Sequence, residues 1–108
     1  MSAYVLAVLA AGMPERALAA GFEEEGVPLV VEHREGEARA LAGEAAGRSP
    51  LGLGIGADAR SLVCVLATWP GRSYLSGEPS EARAFGRAAA RLAVGRPLGD
   101  IVAEGHAS

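Results

Sequence analysis

The apolar positions of this sequence alternate between continuous runs and helical spacings. Residues 4–9 form a continuous apolar run, which is typical of a strand covered on both faces of a parallel sheet. Residues 14–25 place apolar side chains on one helical face, a second short run covers residues 29–31, and helical spacing returns from Ala38 to Gly47. The order of elements at the start of the chain is therefore predicted to be βαβα.

The end of the first helix carries a strong stop signal. Gly26 suits the left-handed position that follows a helix, and Val27 can contact Phe22 as in a Schellman motif. Pro28 cannot continue a helix because it lacks a backbone N–H. We therefore expect the first helix to end at Glu25.

A hairpin is predicted in the middle of the chain. An extended segment starts at Ser49-Pro50 and contains Leu53 and Ile55. Turn-forming residues at 56–60 separate it from an apolar run at 62–66. Three glycines would share one face of the first strand: Gly52, Gly54 and Gly56. We expect a helix or a partner backbone to approach this face closely, because the spacing is not that of a dinucleotide-binding loop.

The C-terminal part of the sequence predicts one more helix. A loop rich in Pro, Gly and Ser spans residues 70–79, and Ser80 is placed to cap a helix that ends at Gly95 and is followed by Pro97. The inner face of that helix carries Phe85, Ala88, Ala89 and Leu92. Together these elements predict one α/β domain over residues 1–101, built on a mixed sheet with a βαβα start, a hairpin and a C-terminal helix, and a frayed tail at 102–108.

Composition and motif spacing argue against several classes of function. The formal net charge is −3 and basic residues form no run, so nucleic acid is not an expected partner. The apolar run near the N-terminus is too short to span a membrane and follows no basic segment, so a cytoplasmic setting is expected. Cys64 is predicted to be buried and His33 to lie on the surface or a sheet edge. Without metal-ligand spacing or a nucleophile elbow, an enzyme acting alone is not expected.

Two charged clusters remain to be explained. Three carboxylates, here called the acidic cluster, end the first helix: Glu23, Glu24 and Glu25. Each carboxylate at this negative end of the helix dipole costs about 0.3–1 kcal/mol at low salt. The last helix carries what we call the arginine ridge: Arg83, Arg87 and Arg91. The acidic cluster is either solvated or compensated by a cation or a partner's arginine, and the ridge is either solvated or the rim of an interface.

Several segments resemble the small subunits of diol and glycerol dehydratase reactivating factors. Residues 21–28, Gly-Phe-Glu-Glu-Glu-Gly-Val-Pro, are similar to the family's Gly-Ile-Glu-Glu-Glu-Gly-Ile-Pro segment. Residues 45–51 and 54–56 are similar to its Ala-Ala-Arg-Ser-Pro-Leu and Gly-Ile-Gly stretch, and residues 86–100 to its closing motif. The family's Asn and Lys in that closing motif fall on Ala88 and Val94 here.

The resemblance implies a mechanism without chemistry in this chain. Adenosylcobalamin-dependent dehydratases are inactivated when damaged cobalamin stays bound, and the family's large subunit, an actin-like ATPase, drives its exchange. The small subunit resembles the dehydratase medium subunit and takes its place, so that the damaged cofactor is released. The resemblance further implies that Glu24 helps to ligate Mg²⁺ at the large subunit, whereas the chain alone binds no cofactor. Glu23, Glu25 and the arginine ridge are then expected at the interface.

Two alternative functions stay open at this point. Instead of a reactivating-factor subunit, the chain would then be a short medium subunit of the dehydratase itself or a free-standing α/β module that binds a small molecule. Medium subunits carry extra segments that enclose cobalamin, and none is expected after Ile101. The glycine strand and the missing phosphate loop argue against the binding module. The expected partners are thus the ATPase subunit and, as client, the dehydratase large subunit, with self-association of the isolated chain left open.

Overall fold

The computed structural model describes residues 3–10, 14–68 and 73–95. Within these ranges the chain forms five strands and three helices: β1 Val5–Leu9, α1 Glu15–Glu25, β2 Leu29–His33, α2 Ala38–Arg48, β3 Leu53–Ala57, β4 Leu62–Leu66, β5 Ser73–Gly77 and α3 Ala82–Ala93. The predicted tail at 102–108 and Pro97 lie outside the described residues. None of the helices in these ranges is long and apolar enough to cross a membrane.

The five strands form one mixed sheet in the order β2-β1-β3-β4-β5. The strand β1 runs parallel to both β2 and β3, whereas β3–β4 and β4–β5 are antiparallel pairs. The predicted α/β class, βαβα start, hairpin and C-terminal helix are therefore confirmed. Every residue of β1 and β3 is buried, because helices cover both faces of the sheet at its centre.

The helices divide between the two faces of the sheet. On one face α1 and α3 lie side by side over a core that includes Phe22 and Phe85, both at most 1% exposed. Cys64, a free cysteine, is buried in the same core, as predicted, and burial raises the pKa of its thiol. On the other face α2 packs over β1, β3 and β4 and is the one described helix on that side.

The glycines of β3 let α2 approach the sheet at backbone distance. A Cβ atom built on Gly54 would lie 2.7 Å from the carbonyl oxygen of Ala42, and one on Gly56 would overlap the carbonyl oxygen of Ala38. The predicted close approach is therefore made by a helix of the same chain and not by a partner backbone. Gly52 does not share this face, since it lies in the turn before β3 with a φ of 72°.

The segment predicted as a loop, residues 70–79, contains the edge strand β5. Leu75 is 1% exposed and pairs with Cys64 of β4, so the strand contributes one large apolar side chain to the core. Its neighbours in the strand are mostly small or polar, which is common at a sheet edge and produces no continuous apolar run. The loop prediction was wrong for this reason. Residues 70–72 lie outside the described ranges.

The start of α3 is organised by glutamate and not by Ser80. Ser80 lies within a 3₁₀ turn, Pro79–Glu81, and no side chain caps the first turn of α3. The Glu81 carboxylate instead accepts a hydrogen bond from the backbone N–H of Glu78 at 3.0 Å. At the other end, Gly95 has the left-handed φ of 75° that its predicted C-terminal position requires.

Asp58 connects the β3–β4 turn to the start of α2. Its Oδ2 accepts a hydrogen bond from the backbone N–H of Ala38, the first residue of α2, at 2.8 Å. Its Oδ1 accepts hydrogen bonds from the backbone N–H groups of Arg60 at 2.8 Å and Ser61 at 3.0 Å. These three donors, led by Ala38, lower the pKa of the Asp58 carboxyl, because they stabilise its charged form.

We predict that Gly54→Ala destabilises the fold by about 1–3 kcal/mol, because the new methyl group pushes the backbone of α2 away from the sheet. The matched control is Gly43→Ala, an exposed site on α2 where an added Cβ meets no atom within 4 Å. That change should stabilise the protein by about 0.5–1 kcal/mol. Urea unfolding of both variants measures the effects, and equal stability of the two would contradict the packing described here.

We predict that Asp58→Ala costs about 1 kcal/mol at neutral pH, as expected for loss of a helix cap. The folded-state pKa of Asp58 is lowered. Its contribution to the free energy of unfolding is therefore complete above the unfolded-state pKa of about 4 and is lost as pH falls through the folded-state pKa. The difference between wild type and variant should therefore shrink in acid. Urea midpoints measured across this pH range test it, and a difference independent of pH is the contrary result.

Candidate functional site

The helices α1 and α3 touch at backbone level through two glycines. A Cβ on Gly21 would lie 2.7 Å from the backbone nitrogen of Arg87, and a Cβ on Gly86 would lie 2.5 Å from the carbonyl oxygen of Leu18. Only glycine allows this approach, since any larger residue would overlap the facing backbone. The close contact places the acidic cluster at the end of α1 directly beside the arginine ridge of α3.

Glu24 is held by two arginines of the same chain. Its Oε2 accepts from Nε and Nη2 of Arg83, and its Oε1 lies 3.2 Å from Nε of Arg87. The Glu24 side chain is 31% exposed and that of Arg83 is 67% exposed, so this part of the cluster lies at the surface. Both carboxylate oxygens of Glu24 thus face a guanidinium group.

Glu25 forms the inner part of the same cluster. Its side chain is only 7% exposed, and its Oε1 lies 3.0 Å from Nε of Arg91. Arg87 lies between the two glutamates, since its Nε is also 3.9 Å from Oε2 of Glu25. Glu25 belongs to the buried face of α1 together with Leu18 and Phe22, so its charge is compensated where water is largely excluded.

Glu23 is the outermost member of the acidic cluster. It is exposed and makes no ion pair with any residue of the described ranges. Gly26 follows the cluster in the left-handed conformation with a φ of 71°, and Val27 donates its N–H to the carbonyl oxygen of Phe22 at 3.1 Å. This is the Schellman motif that the sequence predicted. The turn fixes the direction in which the last carboxylates of α1 point.

The arginine ridge compensates the unfavourable negative charge of the acidic cluster at the end of α1, so the compensation comes from within the chain. The sequence left open whether a cation or a partner's arginine has this role, and it treated the arginine ridge separately. The structure brings the two clusters together over a separation of 59 residues between Glu24 and Arg83. Gly21 and Gly86 were the available sequence signal for the contact between α1 and α3, because each interrupts an otherwise good helix at the face where the helices meet.

Among the described residues, no group of three or more His, Cys, Asp or Glu side chains is arranged to hold a metal ion. His33, at the end of the edge strand β2, is exposed and lies 2.8 Å from Glu15, in agreement with its predicted surface position. Glu24 offers a single partly exposed carboxylate, a hard oxygen donor that suits one position in the coordination of Mg²⁺.

Comparisons with known proteins agree with this architecture. The family model described as dehydratase medium subunit matches residues 4–99. No curated protein matches the chain in sequence. A solved structure of a glycerol dehydratase reactivase is 26% identical with a TM-score of 0.81, covering 93% of this chain and 99% of that chain. A structure of diol dehydratase-reactivating factor complexed with ADP and Mg²⁺ is 30% identical with the same TM-score, covering 93% of this chain and 100% of that chain. The predicted resemblance is confirmed.

We predict that Glu25→Gln destabilises the protein more than Glu24→Gln. The Glu25 carboxylate is almost fully buried against Arg91, so neutralising it should cost about 1–3 kcal/mol. The more exposed Glu24 should contribute only about 0.2–1 kcal/mol, and added salt should reduce that figure further. Urea unfolding at low and high salt measures both changes. A larger loss for Glu24→Gln would contradict the assignment of inner and outer positions.

Proposed function

We propose that this chain, which belongs to the dehydratase medium-subunit family, acts as the small subunit of a reactivating factor. The client of that factor would be an adenosylcobalamin-dependent diol or glycerol dehydratase. The observation that carries this proposal is the match to two reactivating-factor chains over 99% and 100% of their lengths, at a TM-score of 0.81. The match to the medium-subunit model supports the proposal that this chain replaces that subunit.

In this proposal the chain supplies a surface and no catalytic group. It replaces the medium subunit on the dehydratase large subunit, and damaged cobalamin then leaves the opened complex in the cytoplasm. ATP is hydrolysed by a larger, actin-like partner subunit. The burial of Cys64 agrees with this role, because the raised pKa of its thiol keeps it protonated and unreactive.

Glu24 is the residue we propose for contact with a magnesium ion of the partner. The related diol dehydratase-reactivating factor was solved as a complex with ADP and Mg²⁺. Mg²⁺ usually binds to one or two carboxylates together with phosphate oxygens and water, so one carboxylate from this chain fits such a shared site. When bound, the ion would couple docking of this chain to the nucleotide state of the partner. Glu24 would supply a single oxygen ligand.

The surface around Glu24 is the proposed docking surface for the ATPase subunit. It comprises Glu23 and Glu24 at the end of α1 and the arginine ridge on α3, with the almost fully buried Glu25 as its inner member. Glu23 is free of described ion pairs and exposed, which suits a contact with a basic group of a partner. Self-association of the isolated chain through this surface is a further proposal.

A second candidate function is that of a medium subunit in the dehydratase itself. The match of residues 4–99 to the dehydratase medium-subunit model favours this second candidate. The two candidates differ in their stable partner. Co-expression with an ATPase subunit should yield a complex with this chain if it belongs to a reactivating factor. A complex that forms only with catalytic dehydratase subunits would favour the medium subunit.

The direct test of function uses dehydratase that has been inactivated with damaged cobalamin. The chain and the ATPase subunit together, with ATP, Mg²⁺ and fresh coenzyme, should restore activity and release the damaged cobalamin. Either protein alone should not. Restoration by the ATPase subunit without this chain would refute the proposal.

We predict that Glu24→Gln removes the dependence of subunit association on Mg²⁺, because the amide is a much weaker ligand for this ion than the carboxylate. The matched control is Glu23→Gln, which removes the same charge from the adjacent, exposed position. Calorimetric titration of the ATPase subunit with ADP, with and without Mg²⁺, measures the affinity of each variant. Equal dependence on Mg²⁺ in wild type and Glu24→Gln would assign Glu24 to a purely structural role.

A further inference from the structure

The two arginines that hold Glu24 are bound in different ways. Arg83 contacts Oε2 of Glu24 through both Nε and Nη2, whereas Arg87 lies 3.2 Å from Oε1 through Nε alone. Arg87 also lies 3.9 Å from Oε2 of Glu25, so it is shared between two carboxylates. The described ion pairs of Arg83 involve Glu24 only.

The two arginines also differ in exposure. The Arg83 side chain is 67% exposed and that of Arg87 is 39% exposed. Arg83 is the second residue of α3, directly after the 3₁₀ turn Pro79–Glu81. An exposed guanidinium loses little when it moves from a carboxylate into water. Arg83 is therefore the partner of Glu24 that can be exchanged, and Arg87 is the one that stays.

A cation on Glu24 requires such an exchange. A magnesium ion bound at Oε2 would stand where the Arg83 guanidinium lies, and the two positive charges would repel each other. The Oε1 side can keep its contact with Arg87, which is anchored by Glu25 as well. The same carboxylate thus has one fixed partner and one partner in competition with a cation.

We propose that Arg83 occupies the ligand position of Glu24 in the free chain, and that docking onto a partner's magnesium ion displaces Arg83 while Arg87 keeps the carboxylate in place. This inference rests on the proposed function. Arg83 is then a negative determinant of association, and Arg87 is a positioning residue. The free chain presents a neutralised surface, and its carboxylate becomes a ligand only where a stronger cation is available.

The test compares Arg83→Gln with wild type in calorimetric titrations against the ATPase subunit, with ADP and with or without Mg²⁺. Arg83→Gln should strengthen association by about two- to five-fold when Mg²⁺ is present, the range expected for removal of an exposed competing ion pair. Without Mg²⁺ the affinity should not rise. In the Glu24→Gln background, Arg83→Gln should have no effect, because there is no carboxylate left to release.

Arg60→Gln is the matched control, since it removes one positive charge from an exposed position of the β3–β4 turn that belongs to neither the acidic cluster nor the arginine ridge. It should leave the affinity unchanged. If Arg83→Gln binds the ATPase subunit with weaker or unaltered affinity in the presence of Mg²⁺, the inference is overturned while the proposed function stands. The same holds if association is independent of Mg²⁺ in both wild type and variant. No association of wild type or any variant would remove the proposed function, and the inference with it.

Discussion

The close approach of α1 and α3 at Gly21 and Gly86 is the constraint on which the charged surface formed by the acidic cluster and the arginine ridge depends. The two glycines let the helix backbones touch, and this fixes the position of the acidic cluster relative to the arginine ridge. With larger residues the helices would separate, and short side chains such as glutamate would no longer reach guanidinium groups on the neighbouring helix. The charged cluster is thus a consequence of backbone packing.

The cluster illustrates how an unfavourable local arrangement is tolerated. Glu24 and Glu25 lie where the dipole of α1 is negative, so each is costly for an isolated helix. The arginines of α3 offset that cost, but only after the tertiary fold has formed. Because Glu25 is buried and Glu24 is partly exposed, the inner pair stabilises the contact between the helices and the outer pair remains accessible to a partner. The cluster therefore has an inner part that stabilises the fold and an outer part that is available for the proposed contact with a partner.

Local signals in the sequence were sufficient for most of the fold. The end of α1 followed from Gly26 and Pro28, because a left-handed glycine and a missing N–H act within one helical turn. The buried strands β1 and β4 followed from their continuous apolar runs. Strand β5 was missed because its single large apolar core residue, Leu75, gives no pattern, and its pairing with β4 is decided by tertiary contact. The pairing of Glu24 with Arg83 was missed for a similar reason, since it depends on which helices share a face of the sheet.

The fold explains why one architecture can serve an enzyme and the factor that repairs it. In the proposed function the chain replaces another subunit and must share that subunit's docking shape. The shape of this chain is set by the sheet and by helices packed at backbone distance through Gly54, Gly56, Gly21 and Gly86. Function is then distinguished by surface residues that packing does not determine. Glu24 is partly exposed and already paired with Arg83, so in the proposed function a partner's cation has to replace an existing contact and not only solvent. In the proposed function, docking at Glu24 replaces a contact that the free chain already has, and such a replacement favours exchange of subunits over permanent assembly.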